Sequence, residues 1–120
     1  NLERLNVERR RLADIYLKNI TNPKLVLPYV KEECVPVWHI FAIRTQERDK
    51  LANYLAELGI GTNKHYPIPM HLQGAYTDLG IAKGELPIAE EISATQLSLP
   101  MFYGMTEEEI AYVIDCLNKF

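Results

Sequence analysis

The sequence predicts an α+β fold, a small sheet of about three strands with helices packed on it. Two observations carry this. Segments with apolar residues three to four apart alternate with short β-branched and aromatic runs. Those runs are too few and too short for a doubly wound sheet. A length of 120 residues suits one core. The balance of 48% hydrophobic and 24% charged residues is that of an ordinary globular chain.

Residues 2–20 read as a helix, with Leu2, Leu5, Leu12, Ile15, Tyr16 and Ile20 recurring near the helical period. Its Arg9-Arg10-Arg11 stretch reads as solvated surface. Asn22-Pro23 ends it, since proline cannot continue a helix. Residues 24–36, with Pro28 and Pro36, read as an extended connector. Val37 to Arg44 is the strongest strand, apolar on both faces, with His39 inside it as a core histidine. Thr45 suits the N-cap of the next helix. Leu51, Tyr54, Leu55 and Leu58 make that helix's stripe, and Gly59 ends it.

Ile60 to Tyr66 reads as a second strand, broken by Pro67 and Pro69. A short helix follows over 73–79, then a turn region marked by Gly80 and Gly84. Pro87 opens a helix running to about Thr95. Its Glu90-Glu91 pair reads as a solvated face. Gln96 to Leu99 is a third short strand, stopped by Pro100. In the last helix Thr106 and Glu109 form a capping box, and Ile110, Val113, Ile114 and Leu117 form the buried stripe.

Several function classes are disfavoured. A net charge of −3 gives no electrostatic footprint for nucleic acid. No apolar run approaches the ~18 residues of a membrane helix, and no signal-peptide pattern opens the chain. The two cysteines, Cys34 and Cys116, form no CxxC pair and read as reduced thiols of a cytoplasmic protein. The chain opens at Asn1 without an initiator Met and reads as a piece of a longer polypeptide.

Chemistry concentrates in the run from His65 to Gln73. His65, Tyr66, His71 and Gln73 can exchange hydrogen bonds or protons there, and Pro67 and Pro69 stiffen the loop between them. From the residues alone the histidines read either as caps of an ordered surface loop or as ligand contacts. No third metal ligand stands at motif spacing, so no metal site is expected. Ser93 and Ser98 lack the glycines of a nucleophile elbow, and Gly59-Ile60-Gly61 is a helix stop followed by a strand, not a phosphate loop.

Longer strings add a resemblance. Phe41 to Thr45, Arg48-Asp49, Gly59-Ile60, His65-Tyr66-Pro67-Ile68-Pro69, His71-Leu72-Gln73, Ala75-Tyr76, Leu79-Gly80, Leu97 to Met101 and Thr106-Glu107-Glu108 are similar to the DegT/DnrJ/EryC1/StrS aminotransferases. The likeness covers essentially the whole chain. It implies the small C-terminal domain of a fold-type I aminotransferase over residues 23–120, with residues 1–22 as the helix joining it to a large domain.

The implied activity is transfer of an amino group from glutamate to a nucleotide-linked keto-sugar in deoxysugar biosynthesis. The implied cofactor is pyridoxal phosphate, held by a lysine of the large domain. Lys18, Lys24, Lys31, Lys50, Lys64, Lys83 and Lys119 do not match that lysine's motif, so this part alone is expected to be inactive. The family implies a homodimer. It places Tyr66 and His71 against the sugar or its phosphates, with His65 and Gln73 supporting the loop. A member of the same fold acting as a regulator or interaction domain is the alternative.

Overall fold

Phe41 and Ile43 of one strand, and Leu97 and Leu99 of another, share one face of a two-stranded antiparallel sheet. All four are buried in the single core, together with residues from three helices. The computed structural model describes residues 1–120 in the order α1 (Leu2–Asn19), β1 (Phe41–Arg44), α2 (Arg48–Glu57), two 3₁₀ turns (Met70–Leu72 and Gly74–Leu79), α3 (Pro87–Thr95), β2 (Gln96–Leu99) and α4 (Glu107–Lys119). This is the expected α+β class.

Helix α1 buries Leu12, Ala13 and Tyr16 in the core. The Tyr16 hydroxyl donates to the Pro100 carbonyl at 2.8 Å, and its burial pushes its pKa up. Asn118 of α4 closes the end of α1. Its Oδ1 accepts from the Thr21 and Asn22 backbone N–H groups, and its Nδ2 donates to the Asn19 carbonyl. One side chain thus satisfies groups that the end of α1 leaves open.

Helix α2 buries Leu51 and Leu55 and ends as a Schellman motif. Ile60 N–H reaches the Leu55 carbonyl at 2.8 Å, and Gly59 N–H the Ala56 carbonyl at 3.0 Å. That geometry needs the left-handed backbone of Gly59, at φ +77°. Thr45 is not the N-cap of α2, which is Glu47; the Thr45 hydroxyl accepts from the Glu47 N–H instead. The capping box of α4 forms as the sequence predicts, with Thr106 and Glu109 bonding each other's backbone N–H.

The sheet is smaller than expected. The strand predicted from Val37 begins only at Phe41. Arg9 takes the carbonyls of Trp38 and His39 at 2.9 and 3.2 Å, so these groups go to a side chain and not to a neighbouring strand. Trp38 also has left-handed backbone at φ +49°. His39 is consequently exposed, not a core histidine. The strand predicted over Ile60–Tyr66 is reduced to one bridge. Asn63 exchanges both backbone bonds with Ser98, at 3.2 and 2.7 Å, and the prolines that follow prevent any continuation. On the other edge Val26 bridges Arg44 in the same way.

The arginine stretch of α1 is also more than a solvated surface. Arg9 anchors the connector, Arg10 pairs with Glu3, and Arg11 pairs with Glu8 and with Glu107 at the start of α4.

Candidate functional site

The single bridge at Asn63 launches the chain out of the sheet into the segment that carries the candidate residues. His65 is held at both ring nitrogens. The Asn63 Oδ1 accepts from the Lys64 N–H at 2.8 Å, which turns its Nδ2 toward His65 Nε2, 3.1 Å away. Nε2 is therefore an acceptor and Nδ1 carries the proton, which it donates to Ser98 Oγ at 2.9 Å. A ring that donates to a buried serine cannot also withdraw that serine's proton, so this pair anchors the loop and is not a nucleophile and base.

Beyond His65 the loop frames a groove of about 570 Å³. Tyr66, His71 and Gln73 line it; His65 does not. The walls are mostly apolar, with Ile68 and Met70 from the loop, Tyr76 and Leu79 from the second 3₁₀ turn, and Leu86 and Ile92 from the α3 side. Such a mix of apolar wall and few polar groups is typical of small-molecule sites.

The polar groups are not equally free. Gln73 Nε2 donates to the Ile68 carbonyl at 3.1 Å and ties the loop to itself. His71 is buried and donates from Nε2 to Glu90 Oε1 at 3.1 Å. Tyr66 is 69% exposed at the rim. Its hydroxyl stands outside the chain's own hydrogen-bond network.

Glu90 corrects the sequence reading of a solvated helix face. Its side chain is 17% exposed, and Oε1 accepts from both His71 Nε2 and the Gly84 N–H, the latter at 2.7 Å. The Gly84 N–H, followed by the His71 ring and the Leu86 backbone, holds the Glu90 carboxyl below its ordinary 4.5 against the opposing effect of burial. No local pattern signalled this pairing, because the partners lie 19 residues apart.

The sign of the shift sets an expectation. A depressed carboxyl stabilises the fold fully above its unfolded pKa, and that contribution is lost as pH falls through the folded value. Glu90→Gln is therefore expected to be less stable than the parent chain at neutral pH, with the difference closing as pH falls below the ordinary carboxylate value of 4.5. Unfolding midpoints measured across that range check it, and a gap independent of pH contradicts it.

A model of the DegT/DnrJ/EryC1/StrS aminotransferase family matches residues 1–118. The chain belongs to that family. A dTDP-3-amino-3,6-dideoxy-alpha-D-galactopyranose transaminase of Aneurinibacillus thermoaerophilus is 40% identical over 96% of the chain and 31% of its own length. A pleiotropic regulatory protein of Geobacillus stearothermophilus is 37% identical over 100% of the chain and 33% of its own length. Family members thus carry both kinds of name. The crystal structure of S. venezuelae DesV in complex with a ketimine intermediate superposes with a TM-score of 0.94 at 36% identity, over 98% of this chain and 32% of that one. Further solved relatives carry the cofactor in its PLP and PMP forms. The chain spans about a third of the length of the curated relatives it matches.

The groove does not by itself fit pyridoxal phosphate. No lysine, arginine, aspartate or glutamate lines it, so it offers no amine for an imine bond and no cationic group for a phosphate. Lys64, the lysine nearest in sequence to the loop, is paired with Asp49 at 2.7 Å.

Proposed function

We propose that this chain is the C-terminal part of a pyridoxal-phosphate-dependent transaminase that moves an amino group from glutamate to a nucleotide-linked keto-sugar. Residues 1–22 join it to a large domain, and residues 23–120 form the small domain. The groove of Tyr66, His71 and Gln73 is one wall of the sugar site. The observation that carries this reading is Tyr66, exposed at the rim of a mostly apolar groove in a chain whose relatives include transaminases named for dTDP-linked amino sugars.

The residues divide the work by what their polar atoms have left to offer. The Tyr66 hydroxyl can donate and accept toward a sugar oxygen or a phosphate. His71, with Nε2–H given to Glu90, keeps a lone pair on Nδ1 for a sugar hydroxyl. Gln73 and His65 hold the loop's shape through Ile68 and Ser98. The apolar wall takes the faces of base and deoxysugar and keeps water from them. The cofactor, the lysine that binds it and the amino-donor chemistry belong to the large domain, and the whole acts as a cytoplasmic homodimer.

The relative described as a regulatory protein favours a second reading, in which the same fold has lost catalysis. A lysine at the cofactor position of the preceding polypeptide separates the two.

The division of labour has a direct test. The 120-residue chain, mixed with pyridoxal phosphate and reduced with borohydride, is expected to show by mass spectrometry no stoichiometric adduct at any one lysine. A single lysine modified to completion would place the cofactor site in this chain and end the proposal.

A further inference from the structure

We propose that Glu90 is a positioning residue: it sets the tautomer of His71 and so presents a bare Nδ1 to the sugar. The inference deepens the reading of His71 as a sugar contact and rests on it for its functional half. Three observations carry it. Glu90 Oε1 lies 3.1 Å from His71 Nε2, and an ionised carboxylate can only accept, so the ring must place its proton on Nε2. The same oxygen accepts from the Gly84 N–H at 2.7 Å, which fixes the carboxylate independently of the histidine. The His71 side chain is only 4% exposed although it lines the groove, so its bond to Glu90 holds the ring in place while Nδ1 makes no bond within the chain.

The arrangement is that of a carboxylate orienting an imidazole, in which the bond made by one nitrogen decides what the other can do. An Nδ1 without a proton accepts from a hydroxyl and repels a phosphate oxygen. Glu90 therefore selects the hydroxyl-bearing sugar ring as the partner of His71, and leaves any phosphate contact to Tyr66. Glu90 also joins the Pro67–Gln73 loop to the Gly84 turn and the first turn of α3, which are two sides of the same groove.

The test reads the tautomer itself. The chain has three histidines, so two-bond ¹H–¹⁵N correlation spectra of ¹⁵N-histidine-labelled protein resolve each ring. Comparison with His71→Gln identifies the His71 signals. The parent chain and Glu90→Gln, whose amide oxygen still accepts, are expected to show His71 as the single Nε2–H form. Glu90→Ala is expected to show both tautomers in exchange, with the His65 ring unchanged. Retention of the single Nε2–H form in Glu90→Ala, or an Nδ1–H form in the parent, overturns the proposal.

The second arm uses the complete transaminase. Glu90→Ala is expected to raise KM for the nucleotide keto-sugar about five- to tenfold and leave KM for glutamate unchanged, with Glu90→Gln close to the parent. A merely structural Glu90 would move both KM values, or neither, and Glu90→Gln would not restore the sugar's. If His71→Ala leaves the sugar KM unchanged, the reading of His71 as a sugar contact fails, while the tautomer arm still decides what Glu90 does.

Discussion

Phe41→Ala is expected to destabilise the chain by about 3–5 kcal/mol. Phe41 is fully buried, and its ring packs between Tyr16 and Trp38, at centroid distances of 5.0 and 5.2 Å. Truncation leaves a cavity bounded by α1, the sheet and the connector, which cannot all collapse at once. Trp38 is additionally held by the Arg9 bond to its carbonyl, which limits its movement into the gap. Domains of this size are stable by only ~5–15 kcal/mol, so the loss is a large share of the total. Denaturant unfolding should show a lower midpoint with an unchanged slope. A loss below ~1 kcal/mol would mean that the contact between α1 and β1 is not the centre of the core.

The second large effect concerns activity. On the proposed function, His71→Ala in the complete protein is expected to lower kcat/KM for the keto-sugar half-reaction by roughly ten- to hundred-fold, the equivalent of ~1.5–3 kcal/mol. The glutamate half-reaction should be nearly unchanged, because nothing in the groove is suited to hold the cofactor. Tyr66→Phe should act in the same direction but more mildly, since only a hydroxyl is removed. It is also the cleaner variant. His71 is buried and bound to Glu90, so its loss disturbs the groove, whereas Tyr66 is exposed and its removal costs the fold nothing. Equal losses in both half-reactions would assign the loop to cofactor support; no loss in either would leave it a structural loop.

The elements legible in the sequence are those whose determinants are local. The α4 capping box, the Gly59 stop of α2, Pro87 at the start of α3 and the Gln96–Leu99 strand all form where their residues predict. The elements that depart from their sequence pattern depend on partners distant along the chain. Val37 to Ile40 has the composition of a strand, yet Arg9 from α1 takes its carbonyls, about thirty residues away. Asn63 joins the sheet by one bridge, and two residues on, His65 bonds the side chain of Ser98, which lies 33 residues away.

The same division holds for the site. Tyr66, His71 and Gln73 were findable because prolines and polar residues cluster in one short loop, and they do meet around one groove. Glu90 was hidden. On α3 it resembles its neighbour Glu91, which pairs with Arg44 at the surface, and only the fold turns one carboxylate inward and leaves the other outside.

In the proposed function this small domain supplies the sugar-facing wall of a transaminase whose cofactor site lies elsewhere in the polypeptide. A crystal structure of the complete enzyme with its nucleotide-linked sugar bound tests that most directly. The Tyr66 hydroxyl and His71 Nδ1 are expected within ~2.6–3.2 Å of sugar or phosphate oxygens, with the His71 bond falling on a hydroxyl and His71 Nε2 still on Glu90. A sugar bound away from the groove, with Tyr66 and His71 touching protein alone, would contradict it.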